Sequence, residues 1–138
     1  PEDIPRLIEK IKEGYDMVNL SRFGKNSFSQ DASDYFYGYF GNNMFTFLVN
    51  TFFGGSYTDS LNGFRIFKRD AFERLETQSE SLVIDQETYI GALKKKFKSC
   101  EIDGDEPSRI GGERKMKPVS TGAQLGWQII KEFIYWKK

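Results

Sequence analysis

Ile4, Leu7, Ile8 and Ile11 recur at i, i+3, i+4 and i+7 with charged residues between them, and Gly14 stands where such a helix would stop. That spacing predicts an amphipathic helix. Met17-Val18-Asn19-Leu20 reads as a short buried strand that delivers Ser21 and Arg22 to its carboxyl end. Open α/β sheets place their ligands at such ends. The polar run from Gly24 to Asp34 reads as a loop. A second helix is expected over about Tyr37 to Phe52, with Phe40, Met44, Phe47, Leu48 and Thr51 on its apolar face and a stop at Gly54-Gly55. Phe64 to Lys68 predicts a strand and Asp70 to Leu75 a helical turn. Ile84 to Lys98 predicts a third helix, whose Lys94, Lys95, Lys96 and Lys98 suit the negative end of the helix dipole and read as a solvated cap. Ser99 to Ile102 predicts a strand and Asp103 to Lys117 a charged loop. Ala123 to Trp136 predicts a last helix with Leu125, Ile129, Phe133 and Trp136 in register. Short strands alternating with helices place the chain in the α/β class.

Composition narrows the picture. With 138 residues, 38% of them apolar, the chain can bury one moderate core, which predicts a single domain over residues 1–138. Lys plus Arg and Asp plus Glu balance at 20 each, so no global field favours nucleic acid, and an anion site has to come from local clustering. There is no His, and Cys100 stands alone, which excludes a His-based zinc site, a Ser-His triad and an internal disulfide framework. These features predict a cytoplasmic setting. Pro1-Glu2-Asp3-Ile4 opens inside a helical pattern with no initiator Met, which reads as a fragment.

Thirteen Phe and seven Tyr are a heavy aromatic load, concentrated between Tyr35 and Tyr57, where no residue is charged. Gly38, Gly41, Asn42, Asn43, Asn50, Gly54 and Gly55 interrupt that stretch, and so many amides and backbone breakers argue against a membrane span. Two readings stay open: a buried helix, or a helix lying near a membrane surface or a lipid acceptor.

The chemistry concentrates in two runs, Thr58-Asp59-Ser60-Leu61-Asn62-Gly63-Phe64-Arg65 and Arg109-Ile110-Gly111-Gly112-Glu113-Arg114-Lys115. Each sets fixed positive charge beside glycine, a combination that admits close approach of a phosphate, and a carboxylate precedes the first. They suggest an anionic, phosphate-bearing substrate; ordinary surface salt bridges are the alternative reading. Asp103-Gly104-Asp105 has the look of a metal pair but reads as a turn.

The order of the motifs resembles the C-terminal half of family 2 glycosyltransferases, in particular the polyprenyl-phosphate branch that includes dolichyl-phosphate mannose synthases. The elements that carry the resemblance are Pro-Glu-Asp-Ile opening a helix, Ser21-Arg22-Phe23 after a strand, Gly41-Asn42 in an aromatic helix, Thr58-Asp59 before Gly63-Phe64-Arg65, and Arg109 to Lys115. They span nearly the whole chain. The resemblance implies a GT-A fold, Rossmann-like, of which this chain would be the acceptor-side half without the nucleotide-binding half. It further implies a hexosyltransferase that uses a nucleotide sugar and a lipid-phosphate acceptor, in glycan or cell-envelope biosynthesis at the cytoplasmic face of a membrane. A divalent metal, magnesium or manganese, would be held by an Asp-x-Asp run upstream, with no metal ligand in this chain. The isolated chain would be inactive.

By the same resemblance Ser21, Arg22 and Arg65 would bind or line the acceptor phosphate, and Arg109, Arg114 and Lys115 would form a loop closing over the donor diphosphate. Arg suits both tasks because its planar fork grips phosphate bidentately and stays charged. Asp59 would be the catalytic carboxylate, or would orient Arg65 or a sugar hydroxyl. An alcohol acceptor would need a base, and Asp85 and Glu87 are then further candidates. Two departures stand out: Leu20 precedes Ser21-Arg22 where relatives have glycine, and no transmembrane helix follows Lys117. The aromatic, basic tip Tyr135-Trp136-Lys137-Lys138 suits a membrane interface or a core helix with a polar end. Two non-enzymatic alternatives remain: a phosphate- or lipid-binding module, or a half-domain whose open sheet edge pairs with a second copy in a homodimer.

Overall fold

A computed structural model of the chain describes residues 2–23, 39–79, 83–104 and 118–135. Its elements run α1 (Ile4–Lys12), β1 (Met17–Ser21), α2 (Phe40–Phe53), β2 (Arg65–Phe67), α3 (Arg69–Leu75), α4 (Val83–Lys94), β3 (Ser99–Asp103) and α5 (Pro118–Ile134). The mixed α/β character expected from the sequence is present. The loop expected over Gly24 to Asp34 and the residues 105–117 lie outside the described residues, as do Trp136 and the two lysines after it.

The three strands form one sheet in the order β2-β1-β3. β1 lies antiparallel to β2, with Asn19 opposite Arg65, and parallel to β3, with Asn19 opposite Glu101 and Ser21 opposite Asp103. Every residue of β1 is buried. Alternation along the strands therefore gives one face of the sheet Met17, Asn19, Ser21, Arg65, Ser99 and Glu101. Val18 and Leu20 point the other way and are buried, as is Leu7 of α1, which packs beside β1 and β2.

Two apolar clusters hold the helices. Met17, Tyr57, Ala71, Leu75, Tyr89, Ala92 and Phe97 join α3 and α4 to the sheet. Phe45, Val49, Phe53, Val83, Ile90, Leu125 and Ile129 join α2, α4 and α5.

The apolar face expected for α2 is corrected by the structure. Asn42, Phe45, Thr46, Val49 and Phe53 are buried, whereas Phe40 is 64% and Phe47 67% exposed, and Met44 is exposed as well. The helix is turned so that its amides face inward. It stops as expected, with Gly54 in the left-handed conformation at φ 73°. Gly55 is required by close approach, since an added Cβ would lie 2.7 Å from Asn50 Oδ1 and 2.8 Å from Leu93 Cδ1.

α4 ends at Lys94 rather than Lys98, because Lys96 turns into the left-handed region and Phe97 folds back into the core. The lysines there are not a free solvated cap. Lys94 Nζ lies 2.6 Å from Glu132 Oε2 of α5, Lys95 pairs with Glu76, and Lys98 sits over the Tyr15 ring. α5 begins five residues earlier than expected, with Pro118 as its first residue, a position that suits a residue lacking an N–H. Leu125 and Ile129 are buried as its register predicts, but Phe133 is exposed.

Candidate active site

The segment 57–60 is the centre of the site, and α2 holds it from one side. Asn42, Thr46 and Asn50 recur every four residues along one helix face. Asn50 grips Tyr57 twice, accepting from its N–H at 3.0 Å and donating to its carbonyl at 2.8 Å. Thr46 Oγ1 accepts from the Ser60 N–H at 3.0 Å and donates to Ser60 Oγ at 2.9 Å. Asn42 Nδ2 donates to the Thr58 carbonyl at 3.4 Å. In a segment with no regular ladder of its own, α2 thereby partners the N–H groups of Tyr57 and Ser60 and the carbonyls of Tyr57 and Thr58.

The sheet holds the same segment from below. Glu101 Oε2 accepts from the Thr58 N–H at 2.7 Å and from Thr58 Oγ1 at 2.8 Å, and Oε1 accepts from the Asp59 N–H at 3.3 Å. Burial pushes the Glu101 carboxyl above its ordinary range, against the lowering effect of these donors. Two residues earlier on β3, Ser99 Oγ lies 2.9 Å from the Tyr57 hydroxyl, and burial pushes that phenol up to about 12, so it stays protonated. Ser21 Oγ, at the end of β1, lies 2.5 Å from Thr58 Oγ1. Since Thr58 spends its proton on Glu101, Ser21 is the donor in that pair.

Asp59 is fully buried and forms a bidentate pair with Arg22: Nε to Oδ2 at 2.7 Å and Nη2 to Oδ1 at 3.1 Å. The N–H groups of Arg22 and Leu61 add further bonds at 3.2 and 3.3 Å. Both carboxylate oxygens are thus occupied. The partner of Asp59 is Arg22 and not Arg65. Arg65 instead pairs with Asp85 of α4, donates to the Asp85 carbonyl at 3.0 Å, and lies over the Tyr89 ring at 5.2 Å. Gly63 makes room for this pair, because an added Cβ would sit 3.3 Å from Asp85 Oδ1. Burial pushes the Asp85 carboxyl up, with Arg65 and then Arg22 opposing it, so both ion pairs share one neighbourhood.

The structure therefore brings Ser21, Arg22, Asp59, Arg65 and Asp85 together. It does not bring Glu87 to them: that carboxylate accepts from the N–H groups of Gln78 and Ser79 at 3.0 and 2.9 Å and holds the segment that follows α3. Arg109, Arg114 and Lys115 lie outside the described residues, as does Asp105 of the Asp-Gly-Asp run. Leu20 does not obstruct the Ser21-Arg22 corner. Its side chain lies on the opposite face of β1 and fills the space beside Gly104, where a Cβ would come within 2.3 Å of it. Sequence reasoning missed Glu101 and the amide ladder of α2. The one signal for Glu101 was a polar residue two positions after Ser99 on a strand; for α2 it was the four-residue spacing of Asn42, Thr46 and Asn50.

Chemically, the site is a pair of guanidinium groups held in place by the buried Asp59 and the half-buried Asp85 at the carboxyl end of a central strand, an arrangement suited to an anion. The carboxylates Asp59, Asp85 and Glu101 accept from arginines and from N–H groups, and among the described residues no group of three or more Cys, Asp or Glu side chains is placed to hold a metal ion.

No protein-family model matches the chain. It is similar to two curated proteins of Haloferax volcanii. It is 25% identical over 130 residues to a dolichyl-phosphate hexose transferase, covering 94% of this chain and 54% of the relative. It is 27% identical over 92 residues to the low-salt glycan biosynthesis hexosyltransferase Agl6, covering 66% of this chain and 22% of that relative. The chain thus spans about half the length of the first and about a fifth of the second. The resemblance to polyprenyl-phosphate glycosyltransferases carried by the motifs is met by relatives with names of that kind.

Proposed function

We propose that the protein carrying this chain is a glycosyltransferase that moves a hexose from a nucleotide-sugar donor to a polyprenyl phosphate. The carrying observation is the pair of buffered arginines, Arg22 on Asp59 and Arg65 on Asp85, beside carboxylates that have little capacity left for proton abstraction. Both oxygens of Asp59 and both of Glu101 are filled. A phosphate acceptor fits such a site because its second pKa is about 6, so it arrives as a nucleophile without a base. Arg22 and Arg65 align it against the anomeric carbon, and Asp59 serves by orienting Arg22.

On this reading the chain is the acceptor-side part of a GT-A fold. The nucleotide pocket and the ligands of a divalent metal, magnesium or manganese, would lie in residues outside it, and Arg109, Arg114 and Lys115 would bind the donor diphosphate, as the motif resemblance implies. The lipid nature of the acceptor is supported by the outer faces of α2 and α5. Phe40, Met44 and Phe47 on one helix and Trp127, Ile130 and Ile134 on the other are exposed, and the Phe52 and Phe133 rings meet between them at 5.1 Å. No helix among the described residues is long and apolar enough to cross a membrane. These aromatic stripes would rest on a membrane surface, at its cytoplasmic face, next to the segment that holds the site.

The test is transfer of labelled hexose to a polyprenyl phosphate by the protein that carries this chain. Arg65→Ala is expected to lower the rate by at least ~10²-fold, as loss of one transition-state charge partner does; wild-type turnover would remove Arg65 from the site. Asp85→Asn separates this reading from an alcohol acceptor. A phosphate acceptor predicts a loss under about tenfold, whereas loss of a general base costs about 10²–10⁴-fold.

A further inference from the structure

We propose that Glu101 is a positioning residue of this site, holding the Thr58–Asp59 backbone and, through it, the Asp59–Arg22 pair at the carboxyl end of β1. The role of Arg22 in this inference rests on the proposed function; the placement of the segment does not. Three donors converge on one side chain: the N–H of Thr58, the hydroxyl of Thr58 and the N–H of Asp59. An ionised carboxylate is the acceptor-only group that can take all three, whereas an amide would turn an N–H₂ toward one of them. Among the described residues every side-chain hydrogen bond of Glu101 goes to this segment, which lies 42 or 43 positions away in the chain.

The placement follows from the sheet. Glu101 stands opposite Asn19 in the parallel register, so its side chain shares the face that carries Ser21 and Arg65. Thr58 is held by Glu101 below and Asn42 above, and Tyr57 by Ser99 below and Asn50 above. Asp59 has no such support from α2. Its backbone N–H is fixed by Glu101 alone among the described residues, and its carboxylate must still meet Arg22 through two parallel bonds. A displacement of 1 Å at Asp59 would break that fork. Glu101 is half-buried, and a carboxylate withdrawn from water even in part is costly to keep for stability alone, since an apolar residue in its place would carry no desolvation cost. A second like charge, Asp59, stands nearby and adds to that cost.

The experiment compares Glu101→Gln, Asp59→Asn and the double variant in the protein that carries this chain, reading the kcat and KM of transfer alongside amide hydrogen exchange. Glu101→Gln is expected to raise the KM for the lipid phosphate about tenfold or more, the scale of one charge-assisted hydrogen bond, and to leave the KM for the nucleotide sugar unchanged. The double variant is expected to be no worse than the poorer single one, because both act through Arg22. Exchange is expected to speed up at the Thr58 and Asp59 amides and to stay unchanged in β1 and α4. Losses that multiply, or unchanged exchange at both amides, would overturn the inference. Absence of any transfer by the wild-type protein would overturn the proposed function, and the exchange arm would still decide the role of Glu101. Should Glu101→Gln not fold, Thr58→Val removes a donor from the other side of the contact. It is then expected to raise the same KM by a smaller factor, and an unchanged KM would count against the role.

Discussion

The two faces of α2 reverse the usual arrangement of a helix on a core. Its inner face carries Asn42, Thr46 and Asn50 and makes hydrogen bonds to segment 57–60, while its outer face leaves Phe40, Met44 and Phe47 exposed. A helix that only had to close a core would place the aromatic residues inside. The difference teaches that the inner face is set by the need to hold a backbone segment, and that the outer face keeps Met44 and Phe47 exposed. Phe45, Val49 and Phe53 flank the amides and keep the inner face anchored in the α2–α4–α5 cluster.

The sharpest way to break the comparison is to remove the inner ladder. Asn50→Ala takes away both bonds to Tyr57 and leaves the N–H and the carbonyl of that residue without their partners. Losing two such bonds, with the backbone groups half-buried, is expected to lower the unfolding free energy by about 3 kcal/mol in urea titration. Transfer should fall in parallel, since Tyr57 leads directly into Thr58 and Asp59. A loss below about 0.5 kcal/mol would mean that the ladder is incidental.

The inner region also sets a pH dependence. Burial raises Glu101 above its ordinary 4.5 and Asp85 above its ordinary 3.8. Between the unfolded and the folded pKa the folded chain holds a proton that the unfolded chain has released, so stability falls as pH rises through that window. Asp16 works the opposite way. The Lys98 N–H and then Lys68 lower its carboxyl, so its stabilisation is present above 3.8 and is lost as pH falls through the folded value. Stability is therefore expected to rise from strong acid to about the carboxylate range and then to decline. The slope of the decline is at most about 1.4 kcal/mol per pH unit for each proton involved. Urea unfolding at a series of pH values checks the shape, and Glu101→Gln should flatten the declining limb. A limb of unchanged slope in that variant would place the effect on Asp85.

Much of the inner region was legible in the sequence, and the outer region was legible only in part. All eight elements follow from period and punctuation, because apolar spacing and glycine act locally. The Arg22, Asp59 and Arg65 motifs are also local, and the structure places them together with Asp85. The partnering of those charges was not legible: orienting Arg65 was one of the roles open to Asp59, and the fold pairs Asp59 with Arg22 and Arg65 with Asp85. That choice depends on how β1, β2 and α4 approach one another, a distance of twenty residues for one pair and thirty-seven for the other. Glu101 was missed because its partners lie more than forty residues away. The face of α2 was misread because counting apolar residues assumes that the core takes the aromatics. Here the amides had a stronger claim, since the N–H of Tyr57 and the carbonyls of Tyr57 and Thr58 needed partners, and Asn50 and Asn42 supply them.

The smallest expected change in stability comes from the outer face, and it is the change that sharpens the contrast most. Phe47 on α2 and Trp127 on α5 are 67% and 66% exposed, so replacing both by Ser removes little buried area. The double variant is expected to keep its unfolding free energy within about 0.5 kcal/mol of the parent, as surface substitutions do. Its binding to vesicles of mixed zwitterionic and anionic lipid, followed by co-sedimentation, is expected to fall several-fold, because each aromatic ring contributes area at the interface. Light scattering over a dilution series separates this from self-association. If the parent is a dimer that the variant dissolves, and vesicle binding is absent in both, a second copy covers the aromatic stripes. If stability itself drops by about 2 kcal/mol or more, these side chains are packed against another part of the same protein, and the outer face of α2 is an internal surface after all.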